Sequence, residues 1–508
     1  MFWLQDLISI LSPELLVLLA LIIAVFLSTS GYKDIIWIVS VLLMSTGCLH
    51  LVKSSILLTE PIQILNGMFI ADNLSTLMRL LILFTAILII LGSVKYSEGF
   101  IHKSEFFIVL LAAVLGSMFL VSANDLITLF IALETLGLSS IMLIGYSKYD
   151  SRSNEAALKY LLNSASASAI FLFGLSLIYG ITGATQFQEI KYKLLQLSAN
   201  ESISSSLLII VLILILGGLA FKLGSAPLHM WSPDVYEGAP TPATAFLSVI
   251  SKAAGFAISL RILITLFDFA NQVWQPILLG LAVLSMLLGN FVALGEAINK
   301  SSIKRLMAYS SIAQVGYILI GLALFTDTTI SASIFYILVY SIMNLGAFLC
   351  IIAFGNESNS DSISDYSGLV KKKPFLAFAF SICLFNLAGL PLPPAGFIAK
   401  FILFKASFES GHIGIILGTI ALITTILSVY YYLLIVKLML VDKPSEAVLK
   451  IGSENKELLG KSNILNAAIA ISVSVIFIAA IVSSGILKVT NSTTASINPN
   501  QERLISHK

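Results

Sequence analysis

The sequence predicts an all-α polytopic membrane protein, and three observations carry that prediction. Of its 508 residues 58% are hydrophobic and only 11% charged, against roughly a quarter charged in soluble domains. Fourteen apolar runs are each long enough to cross a bilayer core, which takes about 20 residues. Two of those runs, the seventh and the twelfth, carry prolines or unusual length. Proline removes a backbone donor and clashes with the preceding turn, so both read as discontinuous helices.

In chain order the runs lie near 13–30, 34–58, 72–95, 104–122, 124–146, 154–182, 205–229, 240–267, 275–298, 302–325, 329–355, 374–407, 411–441 and 463–487. The first lacks a cationic leader and a small-residue cleavage site, and Asp6 and Glu14 precede or enter it; it reads as a retained helix rather than a signal peptide. Helices 1–3 occupy 1–103, a block of helices 4–8 occupies 104–267, and helices 9–13 occupy 275–441. A last helix at 463–487 leaves 488–508 as a short polar tail, expected to be mobile. Each block of five has its broken helix in fourth place. An odd number of spans inverts the second copy, which predicts two inverted repeats of the transporter type.

Sixteen lysines and arginines fall in alternate loops, including Lys95, Lys148, Lys300 and Lys371 to Lys373, while the opposite loops hold only Lys53, Lys191, Lys193 and Lys405. The positive-inside bias places both termini on the outer side. The net charge of +2 is spread over loops and points to no nucleic acid. Cys48, Cys350 and Cys383 lie far apart in apolar runs, the five histidines form no ligand pair, and no glycine-rich nucleotide loop occurs. These absences predict no catalytic, metal or cofactor residue in this chain.

Charges inside the runs carry the functional expectation. Glu134 sits ten residues past Asn124, and Lys252 ten past Pro242, about 15 Å into a helix crossing about 30 Å. Lys222 precedes the Pro227 break by five residues, and Lys400 follows the second break in GLPLPPAGFIAKF. Each costs about 2.5–3.5 kcal/mol at the bilayer centre unless paired, hydrated or buried. An isolated glutamate–lysine pair could simply pin two helices. Three lysines against one glutamate cannot all be paired, and unpaired buried lysines exchange protons near neutrality. His229, beside the first break, reads either as a relay or as a backbone partner. Arg79 and Arg261, nearer helix ends, read as snorkelling side chains. Asp234 and Glu237 read as loop-shaping groups, Lys304 and Arg305 as positive-side anchors, and Ser164, Ser166 and Ser168 as a close-packing stripe.

The stretch FKLGSAPLHMWSPDVYEGAPTPATAFLSVISKAAGFA (221–257) resembles the N, or ND2-type, subunit family of respiratory complex I, and KSSIKRLMAYSSIAQVGY (300–317) and GLPLPPAGFIAKF (389–401) resemble it in the same order. The resemblance implies a subunit of a proton-pumping NADH:quinone oxidoreductase, with the family's hydrophilic axis falling on Glu134, Lys222, Lys252 and Lys400. It implies no cofactor of this chain's own; NADH, FMN, iron–sulfur clusters and quinone are expected in partner subunits. The expected neighbours are other complex I membrane subunits and the lipid bilayer. A bacterial plasma membrane is the expected location, with mitochondrial inner membrane or thylakoid as alternatives. Related antiporter subunits carry an HxxxK pattern on the eleventh helix, where this chain has Tyr340 and Asn344, and they lack the run at 234–238. That departure leaves open which group joins Lys252 to Lys400. The competing readings are a cation/proton antiporter subunit and a structural subunit without a proton path.

Overall fold

The computed structural model describes residues 2–55, 61–199, 205–451 and 459–497. The chain starts with α1 (Phe2–Thr29) and α2 (Ile36–Ser55), then a short antiparallel hairpin pairing Ile62–Ile64 with Phe69–Ala71. The hairpin is absent from the sequence expectation. Its turn runs through Leu65, Asn66 and Gly67, all at positive φ, which suits the twist of a tight hairpin. Then come α3 (Asn73–Tyr96), α4 (Lys103–Ser122), α5 (Leu126–Ile144) and α6 (Ser151–Thr182). Asp72, Asp125 and Asp150 accept hydrogen bonds from the first free amides of α3, α5 and α6, so each helix begins where a short acidic side chain can cap it.

Residues 183–204, expected as a plain connection, hold a further helix, α7 (Phe187–Ala199). The first broken span is α8 (Ser205–Leu223) followed by the short α9 (Trp231–Gly238). The next span is continuous from Thr241 to Leu266 but contains two wide turns. In it α10 (Thr241–Phe246) gives way to a π turn at Leu247–Ser251, then α11 (Lys252–Arg261), then a second π turn at Ile262–Leu266. Such turns re-aim the side chains beside them; here these are Lys252 and Arg261. The chain continues through α12 (Asn271–Ile298), α13 (Ile303–Leu324) and α14 (Asp327–Ser358).

The second broken span is α15 (Pro374–Ala388) and α16 (Ala395–Glu409), then α17 (Gly411–Leu440), the short α18 (Glu446–Lys450), α19 (Leu459–Ile481) and α20 (Ser483–Ile497). Among the described residues, thirteen helices are long and apolar enough to span a membrane. The remaining expected run, the twelfth at 374–407, is two helices of 15 residues each, neither of which crosses alone. Instead of ending in a mobile polar tail after Gly485, the chain forms α20, whose Thr490, Thr493 and Thr494 are buried and whose Thr490 accepts a hydrogen bond from Ser331 of α14. Residues 498–508 and Lys456 lie outside the described residues.

Burial is distributed unevenly. The span 241–266, α13 and α14 are enclosed on all sides, whereas α1, α2, α6, α12, α17 and α19 turn large apolar side chains outward. Outward leucine, isoleucine and phenylalanine suit a lipid surround. The enclosed trio forms the interior, and the buried polar groups collect on it.

Candidate functional site

Each break creates backbone groups that must be satisfied inside the protein. At the first, α8 stops at Leu223 because Gly224 takes φ +69°. The freed Phe221 carbonyl accepts the Trp231 indole N–H at 3.2 Å, and the Ala226 amide donates to Ser285 Oγ of α12 at 2.8 Å. At the second, Gly389 takes φ +84°. The Leu387 carbonyl accepts Gln314 Nε2 at 3.2 Å, and the Ala388 carbonyl accepts Lys400 Nζ at 3.0 Å. Lys400 therefore binds the negative end of the half-helix dipole. Asn386 Oδ1 accepts the Gly396 amide at 3.0 Å and so holds the start of α16 to the end of α15.

Three lysines lie in this interior, with relative exposures of 6% for Lys222, 1% for Lys252 and 3% for Lys400. Lys222 ends α8 against α11: a Cβ at Gly255 would stand 3.2 Å from its Cγ. A water-accessible cavity of about 20 Å³ between α5, α6 and α8 is lined by Lys222, Leu133, Tyr160 and Ser164, enough for one water. Glu134 of α5 influences Lys222 electrostatically, yet its Oε1 is buried with no hydrogen-bond partner. Lys252 donates to Ser311 Oγ at 2.8 Å and stands 6.0 Å from the Tyr236 ring centroid; Lys400 stands 5.1 Å from that of Tyr317. Aromatic faces stabilise a buried cation without fixing its proton.

Among the described residues no carboxylate comes within 4.0 Å of these three amines. Other buried cations are paired. Arg79 meets Glu14 at 3.2 Å, and Arg261 holds Asp72 through two hydrogen bonds of 2.8 and 2.9 Å. Neither arginine snorkels, because each finds a carboxylate on another element at its own depth. Lys304, expected as a surface anchor, is buried, bonded to Asp361 at 2.8 Å and to the Ala239 carbonyl at 3.3 Å. Arg305 bonds Asp234, Glu237 and Glu296, and Lys159 bonds Asp234, so these charges lock α9 to α6, α12 and α13. Ser166 faces outward and bonds the Leu162 carbonyl of its own helix, which departs from the expected packing stripe. His229 sits on the first break between exposed Leu228 and Met230, and its Nδ1 has no hydrogen-bond partner.

Two predictions arise here. Asp234 lies outside the spanning helices. Burial raises its pKa, but the Lys159 hydrogen bond and the charges of Lys159 and Arg305 outweigh that and hold the carboxyl below its usual range. A depressed folded pKa contributes stability above the unfolded value of about 3.9, and that stability is lost as pH falls through the folded value. Asp234→Asn is therefore expected to melt below the parent at pH 7, by about 0.5–1 kcal/mol for so exposed a pair, with the gap closing below about pH 4. A gap that widens with acid contradicts this.

The second concerns Gly389, where a Cβ would lie 2.8 Å from Lys400 Cδ. Gly389→Ala is expected to cost about 1–2 kcal/mol for the left-handed residue and to displace the Lys400 amine. Gly355→Ala on α14, with nothing within 4 Å, serves as control. Thermal stability should fall only for the first, since alanine is the better helix former at Gly355.

Sequence reading missed Ser311, Gln314, Tyr336 and Tyr317. The usable signal was their spacing: Ser311, Gln314 and Tyr317 recur every three residues, and Tyr336, Tyr340 and Asn344 every four. Polar groups on one face of an otherwise apolar helix mark a polar seam. Among the described residues no three His, Cys, Asp or Glu side chains form a metal-binding group.

The family model described as NADH:quinone oxidoreductase/Mrp antiporter, TM, matches residues 123–428. The chain is 48% identical over 382 residues to the NAD(P)H-quinone oxidoreductase subunit 2 of Gloeothece citriformis, covering 75% of this chain and 72% of that one. It is 45% identical over 442 residues to the protein of the same name from Synechocystis sp., covering 85% and 82%. Among solved structures, a chain of respiratory complex I from Thermus thermophilus with bound aureothin superposes with TM-score 0.73 and 27% identity, over 92% of this chain and 98% of that one. A chain of the Mrp complex from Dietzia sp. superposes with TM-score 0.83 at 21% identity, over 96% and 97%, a likeness of fold.

Proposed function

This chain belongs to the NADH:quinone oxidoreductase/Mrp antiporter family, in its ND2-type branch of NAD(P)H-quinone oxidoreductase subunit 2 proteins, and on that premise we propose that Glu134, Lys222, Lys252 and Lys400 form its proton path. The observation that carries the reading is the contrast among buried cations. Arg79, Arg261 and Lys304 have carboxylate partners within 4.0 Å; Lys252 meets a hydroxyl and an aromatic face, Lys400 a carbonyl and an aromatic face, and Lys222 has no carboxylate within that distance. A lysine without a carboxylate can release its proton; an arginine clamped to aspartate cannot.

As a membrane-arm subunit the chain has no reaction centre of its own, and quinone reduction takes place elsewhere in the complex. In the proposed sequence, the charge of Glu134 biases Lys222, Lys252 passes the proton laterally, and Lys400 exchanges with the outer side. Moving one charge against about 180 mV costs roughly 4 kcal/mol, the free energy of a lysine shift of about three pKa units. A carboxylate that approaches or leaves Lys222 in a poorly solvated site supplies a change of that order. His229 is a side branch of this scheme, exchanging at the first break.

Blocks 104–267 and 275–441 act in this reading as inverted repeats. Supporting it, each has a break opened by a left-handed glycine that abuts a lysine: a Cβ at Gly224 would lie 3.9 Å from Lys252 Nζ, and one at Gly389 2.8 Å from Lys400 Cδ. The loop charges support both termini on the outer side; the proposed location is a bacterial plasma membrane, among other complex I membrane subunits.

The test is Lys222→Ala in the native complex, with assembly, quinone reduction and proton translocation measured in the same membranes. The reading requires an assembled complex that loses translocation and turnover together, by about tenfold or more, equivalent to about 1.4 kcal/mol on the barrier. Unchanged translocation returns the lysine row to helix pinning.

A further inference from the structure

Between Lys252 and Lys400 the enclosed helices α13 and α14 carry charged side chains only near their ends (Lys304, Arg305, Asp327 and Glu357), yet their facing turns are polar. Ser311 Oγ accepts the Lys252 proton at 2.8 Å, and the Tyr340 hydroxyl lies beside Ser311. Asn344 Nδ2 donates to the Tyr340 hydroxyl at 3.1 Å and fixes its orientation. One helical turn before Tyr340, the Tyr336 hydroxyl donates to Gln314 Oε1, and Gln314 Nε2 reaches the Leu387 carbonyl at the second break. The next carbonyl, that of Ala388, is the one that accepts from Lys400. Tyr336, Tyr340 and Gln314 are each buried to 1% exposure or less.

Burying so many polar groups is costly unless they are bonded, and a mere packing core does better with apolar side chains. Hydroxyls differ from amides in one respect that matters here: each can accept a proton on oxygen while giving up its own. We propose that Ser311, Tyr340 and Tyr336 are the uncharged bridge that carries protons between Lys252 and Lys400, with Gln314 as its positioning residue. The proposal rests on the proton-path reading above and supplies the link that the absence of an eleventh-helix lysine leaves open.

In the forward step the Ser311 hydroxyl turns from the Ala308 carbonyl toward Tyr340, passes its proton there, and takes one from the Lys252 ammonium. Tyr340 passes one to Tyr336, and Tyr336 delivers one to the neutral Lys400 amine, directly or through a bridging water. Every hydroxyl gains and loses one proton. Lys252 ends neutral, Lys400 ends as an ammonium, and rotation of the hydroxyls resets the chain. Gln314 carries no proton. Its carbonyl holds the Tyr336 hydroxyl and its amide holds the end of α15, so the last hydroxyl and the Lys400 acceptor stay in register.

The experiment uses the assembled complex in native membrane vesicles, with quinone reduction and the proton gradient read by a pH-sensitive dye in H2O and D2O. Tyr336→Phe and Tyr340→Phe keep the rings and remove the hydroxyls; Ser311→Ala removes one small hydroxyl and is the variant least able to disturb folding. Each is expected to lower coupled turnover at least fivefold and to raise the solvent isotope effect, because transfer across the bridge becomes rate-limiting. Gln314→Leu is expected to lower the rate, with partial rescue in Gln314→Asn. A rate and isotope effect equal to the parent in assembled Ser311→Ala overturn the proposal, whatever the tyrosine variants do. Lys252→Met is measured in parallel. If it pumps normally, the proton-path reading itself falls; if it stops pumping while the hydroxyl variants do not, only the bridge falls.

Discussion

Lys252→Met in the assembled complex should leave the fold intact and stop proton translocation, and Lys252→Arg should stop it as well. Methionine has nearly the volume of lysine and no charge, so it removes the desolvation cost of an enclosed amine and leaves little cavity. The Ser311 hydroxyl that loses its partner still donates to the Ala308 carbonyl at 2.7 Å. Stability should therefore stay within about 1 kcal/mol of the parent, since volume-conserving swaps are tolerated. Arginine keeps the positive charge but holds its proton at any working pH. A role that needs only a charge survives Lys252→Arg and fails in Lys252→Met, whereas a proton carrier fails in both. A loss of about tenfold or more in translocation for both variants corresponds to at least about 1.4 kcal/mol. Activity retained by the arginine variant refutes the carrier role.

The largest stability effect is expected at Asp72→Ala. Asp72 accepts two hydrogen bonds from Arg261 and also caps α3 by accepting the Ser75 amide at 2.8 Å. Both side chains are almost completely buried; besides Asp72 the guanidinium reaches only the Val121 carbonyl at 3.3 Å, and its Nε has no hydrogen-bond partner. Removing the carboxylate leaves a guanidinium that cannot deprotonate in an enclosed site, a loss of about 3–5 kcal/mol, with about 1 kcal/mol more from the cap. Since native stabilities are about 5–15 kcal/mol, the subunit should be depleted from membranes and the complex should fail to assemble on native gels. The double variant Asp72→Leu with Arg261→Met, which removes both charges, should recover much of the loss. Normal levels of the single variant contradict this account.

Much of the fold was legible because membrane burial acts on local composition. Long apolar runs and proline breaks are readable within a window of some twenty residues. The hairpin at 62–71 and α7 escaped because short elements between spans carry little periodicity. Of the site, Glu134, Lys222, Lys252 and Lys400 were visible one by one, since a charge in an apolar run stands out wherever its partners lie.

Which of those charges are paired could not be read. Arg79 and Arg261 resemble the lysines in sequence, but Glu14 lies 65 residues from Arg79 and Asp72 lies 189 residues from Arg261. Only the packing of α1 on α2 and α4, which lie against α3, and of α11 against α3 brings them together. The sequence alone determined the family, the spanning helices, the two breaks and the residues able to carry charge, because hydropathy and backbone chemistry are local. The tertiary structure decided which cations are clamped, which are left with hydroxyls and carbonyls, and that α13 and α14 turn their polar faces to each other. Ion pairing and hydrogen bonding act over about 3 Å, a distance set by how helices far apart in the chain pack.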